Sequence, residues 1–249
     1  MSEVLIPELQ LYEFAVIVLS VAVLAFVGWT IRLPAKLRSY GIAGTAILAF
    51  MALGYILMAT ETLTVVHADG ETPLGRYVGY AVLFSIVYLL LWAIAGGKRR
   101  WAGALLFANF LWLGSVATLW LIEGPAELAA IGGNFVAFFI ILFVLLGPLK
   151  RATGDVSPER RLLYGKLTNL LLLVLVLYLV MGFTADHALG LFDTFVGVFT
   201  GIYVDLLFVI TFCTILLRGT TALEQVVDAS RSETTATDDT DGVTVGTAD

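Results

Sequence analysis

The chain has 249 residues, 59% of them hydrophobic and 14% charged, with a net charge of −6 and a mean hydropathy of +0.95. Soluble domains carry about a quarter charged residues, so this composition excludes an ordinary soluble protein and confines the charges to connections. A single cysteine, Cys213, excludes a disulfide framework, and two distant histidines, His67 and His187, exclude a zinc or haem ligand cluster.

In chain order, apolar stretches fall at 9–31, 41–64, 75–96, 101–122, 128–149, 162–184 and 190–217. Each is long enough to cross a hydrocarbon core of about 30 Å as a helix. The expectation is an all-α membrane protein, a seven-transmembrane helix bundle over residues 1–220, multi-pass in the cell membrane. Glu3 and Glu8 precede the first stretch where a signal peptide would be basic, so no cleavable signal is expected. Connections alternate in charge. The first carries Arg32, Lys36 and Arg38, the third Lys98, Arg99 and Arg100, and the fifth Lys150, Arg151, Arg160 and Arg161. The second, fourth and sixth (HADGETP, EGPAE, ADHALG) carry no lysine or arginine. Basic connections stay inside, which predicts an extracellular N-terminus and a cytoplasmic C-terminus.

The prolines (Pro7, Pro34, Pro73, Pro125, Pro148 and Pro158) fall at or beyond span ends, so no proline kink is expected. Ser157-Pro158-Glu159 has the form of an N-cap followed by proline at the first helical position. Residues 221–249, rich in Ser, Thr and Asp, are read as an acidic, disordered cytoplasmic tail, where Asp238 and Asp239 carry no metal chemistry. The low pI suits a high-salt cytoplasm.

Few polar residues remain at membrane depth: Arg76, Asn109, Asn134, Asn169 and Asp205. An intramembrane carboxylate is costly, and a functional site is its default reading. Arg76 is its economical partner, since either charge alone would be unpaired in low dielectric. The alternative has Arg76 snorkelling to the outer interface and Asp205 neutral. Gly75 and Gly79, and Gly197 and Gly201, lie four apart, and such stripes let helices approach closely within one bundle or between two copies. No paired carboxylates, histidine cluster or activated nucleophile converge, so an enzyme is not expected. Seven unbroken spans also fit poorly with an inverted-repeat transporter.

Around these polar helices the chain resembles the microbial (type 1) rhodopsins, particularly the haloarchaeal bacteriorhodopsin group. Arg76-Tyr77-Val78-Gly79-Tyr80 resembles the family's Arg-Tyr-x-Asp-Trp/Tyr. Val204-Asp205, Phe212 and Ile215-Leu216-Leu217-Arg218 resemble its retinal-helix pattern, and Ser157-Pro158-Glu159 also fits. The likeness covers about 1–220. The departures matter more. The resemblance places Val209 where the family has its Schiff-base lysine, and the only lysines are Lys36, Lys98, Lys150 and Lys166. Gly79 falls at the proton-acceptor position, Leu90 at the donor and Ser85 at a frequent mid-helix proline. The sixth span is read as offering only leucine and valine where the family places Trp, Tyr and Pro around the ring.

The resemblance so read implies a divergent member with no covalent retinal and no metal, a non-pumping regulatory or interaction protein. Tyr80, Gly79, Ser85, Asp205, Phe208 and Val209 would line a vestigial pocket, with Arg76 and Asp205 as a structural polar pair. Leu172, Leu175, Phe208 and Val209 are expected to fill the vacated volume. Alternatively, Gly79 and Ser85 keep it open for a non-covalent retinal or carotenoid in a sensor or carrier. A light-driven pump or photoreceptor follows from family analogy alone. A passive channel is disfavoured by too few pore-lining polar groups. Expected partners are the lipid bilayer, another membrane protein and further copies of the chain, with no nucleic acid.

Overall fold

The computed structural model describes residues 8–67, 70–121, 125–184, 189–191 and 193–241. The readings made on the extreme N-terminus, on His187 and on the last eight tail residues lie outside them. Among the described residues, seven helices are long and apolar enough to cross a membrane. They are α1 (Glu8–Arg32), α2 (Arg38–Ala59), α3 (Gly75–Ala95), α4 (Arg99–Leu121), α5 (Pro125–Val144), and, after a short α6 (Lys150–Ala152), α7 (Pro158–Thr184) and α8 (Thr194–Arg218). A ninth helix, α9 (Thr220–Asp241), follows. Neighbours in sequence pack together along α1–α2–α3 and α4–α5; α7 lies on α8 and α3, and α8 closes on α2 and α1. α3 and α8 are the most enclosed.

Lipid tails are as apolar as leucine, so these helices associate by close packing and polar contacts rather than by a hydrophobic drive. Glycine makes the tightest contact. A Cβ on Gly75 would stand 2.6 Å from Leu57 Cβ, and one on Gly79 2.9 Å from the Phe50 carbonyl. With Gly54 opposite, α2 and α3 meet almost backbone to backbone. At the far end of α3, Gly96 closes the helix at φ 69°, a left-handed cap that glycine adopts without strain. The Arg160 guanidinium completes this cap, donating from Nε to Ile94 O (3.1 Å) and from Nη2 to Ala93 O (3.1 Å). A residue read as a loop cation is thus a buried cap, 7% exposed.

Three features differ from the sequence expectations. Between α2 and α3 the chain forms an antiparallel hairpin, β1 (Thr64–His67) and β2 (Gly70–Pro73), in register Thr64–Pro73 to His67–Gly70. Second, Pro148 is not beyond the fifth span but inside it. Helix α5 runs on through one π-helical turn, Leu145–Leu149, into α6. Proline has no N–H for the carbonyl one turn back, and a wider turn absorbs the defect. The Tyr164 hydroxyl donates to the Leu145 carbonyl at 2.6 Å. Third, helix α9 runs through the segment read as a disordered tail, from 221 as far as Asp241. Its Ala222, Leu223 and Val226 share one face and are buried. Lys36 pairs with Glu224 at 3.4 Å. Ser157 donates to Gln225, which in turn donates to Glu159 at 3.3 Å. The polar composition of the later residues hid this apolar spacing.

Candidate functional site: a carboxylate among tyrosines

Asp205 lies at the start of the fourth turn of α8, a helix started by Asp193, whose side chain accepts from the Val196 amide at 2.8 Å. Its carboxylate is fully buried. Three hydroxyls from three helices converge on it. Tyr55 of α2 donates to Oδ2 at 2.5 Å, Tyr80 of α3 donates to Oδ1 at 2.7 Å, and Tyr178 of α7 donates to Oδ1 as well. From the first turn of α3, Arg76 Nε approaches Oδ2 to 3.8 Å, and its guanidinium sits 5.8 Å from the centre of the Tyr55 ring. A carboxylate offers about four lone-pair sites, and this one meets three hydroxyls and a guanidinium, so its burial is compensated.

The glycine stripe of α8 has a specific use. A Cβ on Gly201, one turn before Asp205, would lie 3.2 Å from Arg76 Nη2, whereas one on Gly197 would meet nothing within 4 Å. Gly201 therefore leaves room for the guanidinium.

One turn beyond Asp205 the chemistry changes. Val209 is completely buried, beside Phe208 (1% exposed) and Phe212 (0%). Phe208 stacks on Phe84 with centroids 5.7 Å apart. Tyr80, Trp112 and Tyr178 extend the cluster, with Tyr80 centred 6.1 Å from Trp112 and 5.8 Å from Tyr178. Of the residues read as a vestigial pocket, Tyr80, Asp205, Phe208 and Val209 come together here. Gly79 and Ser85 do not join them. Gly79 faces α2, and the Ser85 hydroxyl bonds back to Ala81 O (2.6 Å) and accepts from Asn109 Nδ2 (3.2 Å), which ties α3 to α4. Asn109 is buried, while Asn134 is half-buried and Asn169 exposed.

Tyr55 and Tyr178 escaped the sequence reading, which treated the sixth span as leucine and valine alone. The signal was present, since a buried tyrosine hydroxyl must find a partner and Tyr178 interrupts the leucine and valine residues that follow Asn169. All four lysines are exposed. Lys36, Lys98 and Lys150 lie at or between helix ends, and Lys166 sits in the third turn of α7. Among the described residues no group of three or more His, Cys, Asp or Glu side chains could hold a metal. Chemically, the arrangement stabilises one carboxylate; it presents no nucleophile.

No protein-family model matches the chain. It is 25% identical to sensory rhodopsin-2 of Natronomonas pharaonis over 208 residues, 84% of this chain and 85% of that protein. It is 26% identical to cruxrhodopsin-3 of Haloarcula vallismortis over 223 residues, 85% and 89% of the two chains. Its fold is similar to that of the thermophilic rhodopsin from Rubrobacter xylanophilus, with a TM-score of 0.81 at 20% identity, covering 89% of this chain and 99% of that one. The light-driven proton pump rhodopsin of Coccomyxa subellipsoidea gives 0.76 at 19% identity, covering 84% and 95%.

Proposed function

Starting from a chain that belongs to the microbial rhodopsin family and spans the cell membrane several times, we propose that it holds no covalent retinal and pumps no ion. It acts instead as a regulatory or interaction protein in the membrane. The observation that carries this reading is the position of its amines: every lysine is exposed, while the residue one turn beyond Asp205 is the buried Val209. When bound in this family, retinal is held through a lysine as a Schiff base and supplies the light-driven chemistry. The residues around Val209 do not fit that group, because they offer no amine and their aromatic rings pack on one another. The carboxylate that would face such a cation faces Arg76 and three tyrosines instead.

The basic connections favour a cytoplasmic location for the Lys98 and Lys150 end of the bundle. Contacts with another membrane protein, or with further copies, would run through the spans or this basic end. The alternative outcome is a non-covalent retinal or carotenoid seated among Trp112, Tyr178 and Phe208. One experiment separates the readings. The purified protein, reconstituted with all-trans retinal, is expected to give no visible band, no retinyl adduct after borohydride reduction and no light-dependent pH change in vesicles. A band that survives denaturation as an adduct would overturn the reading. A band extractable into organic solvent would establish the carrier, and a light-dependent pH change the pump.

A further inference from the structure

A cavity of about 450 Å³ lies between the π-helical turn that follows α5 and the first turns of α7, at the basic end of the bundle. Three cations line it: Lys150, Arg151 and Arg161. Leu145, Leu146 and Thr168 are among the residues on its walls, and no carboxylate contributes. Arg161 is fixed in place, donating from Nε to Thr153 O and from Nη2 to Gly154 O, both at 3.0 Å. Among the described residues Lys150 and Arg151 have no ion-pair partner. Thr168, only 2% exposed, has its Oγ1 buried without a hydrogen-bond partner. A concentrated positive charge, a fixed guanidinium and a buried hydroxyl are thus set around one cavity. Beside the cavity, on the outer face of the same helical run, Leu146 is 46% exposed and Phe143, one turn earlier, 63%.

We propose that this cavity binds the phosphate headgroup of an anionic phospholipid, with an acyl chain lying outward along Leu146 and Phe143. Basic pockets between transmembrane helices suit such headgroups, each basic residue near the surface contributing about 1 kcal/mol. An acyl chain would supply apolar contact that a free anion lacks. The site stands apart from Asp205 and does not depend on whether the chain carries a chromophore.

The test uses the full chain in detergent, titrated with phosphatidylglycerol or phosphatidylcholine and followed by native mass spectrometry. The expected result is a preference for phosphatidylglycerol that falls roughly 30-fold in the double variant Lys150→Gln/Arg151→Gln, at about fivefold per charge. The double variant Lys98→Gln/Arg99→Gln, which removes two charges at the same end but outside the cavity, should keep the preference. Equal binding of the two lipids would overturn the proposal, as would a preference insensitive to the first double variant. A preference lost equally in both double variants would reduce it to the general positive charge of this end. Inorganic phosphate displacing the lipid completely at equal concentration would assign the cavity to a free anion, and that also overturns the proposal.

Discussion

The two halves of the bundle, divided at Asp205, are held together by different physics. On the Arg76 side, one carboxylate gathers donors from α2, α3 and α7. On the other side, Phe84, Leu91, Val209 and Phe212 are entirely buried and interlock by shape alone. The polar half is specified by satisfaction of a few groups and has little tolerance for exchange. The apolar half is specified by volume, and a replacement of similar size should pass.

The largest expected effect tests the polar half directly. Asp205→Ala leaves three hydroxyls without their shared acceptor and Arg76 without its counter-charge, and should cost about 3–5 kcal/mol, the range for breaking a buried charged pair. Thermal unfolding in detergent would show it, and a stability unchanged within error would remove Asp205 from the centre of this account. In the apolar half, Leu91→Ala should cost about 2–5 kcal/mol through the cavity it leaves, while Leu91→Met should cost under about 1.5 kcal/mol. A loss from Leu91→Met as large as that from Leu91→Ala would erase the distinction between the halves. Smallest is Tyr178→Phe, which removes one hydroxyl and keeps the ring. Interhelical hydrogen bonds in membrane bundles contribute on average about 0.6 and at most about 1.7 kcal/mol. Measured by the same unfolding assay, a loss well above that range would mean that the three tyrosines act as one unit.

The spans themselves were legible because transfer of apolar side chains into lipid is a property of composition over twenty residues, insensitive to register. Arg76 and Asp205 were legible for the complementary reason, being rare where polar groups are expensive. Tyr55 and Tyr178 were not, since a tyrosine counts as bulk hydrophobe in a hydropathy sum and only its environment says where the hydroxyl goes. The same averaging missed the hairpin at 64–73, too short to stand out from a polar connection, and the first turns of α9, diluted by the Ser- and Asp-rich residues after them. Gly79 carried two readings. The close helix approach expected of its glycine spacing is what α2 uses, whereas the alternative, room for a ligand beside Ser85, is taken up by the α2 backbone.

That close approach has a mechanical consequence. Tyr55 sits on α2 and both Arg76 and Tyr80 on α3, the two helices joined at Gly54, Gly75 and Gly79. With the Gly54 carbonyl only 3.1 Å from where a Gly75 Cβ would stand, the α-hydrogens of one helix lie against the carbonyls of the other. The pair packs as one plate carrying Tyr55, Arg76 and Tyr80, three of the four side chains described around Asp205. Tyr178 alone rides on α7. A tilt of α7 away from the plate would release one hydroxyl and leave the other three contacts in place, so the bundle has a built-in seam.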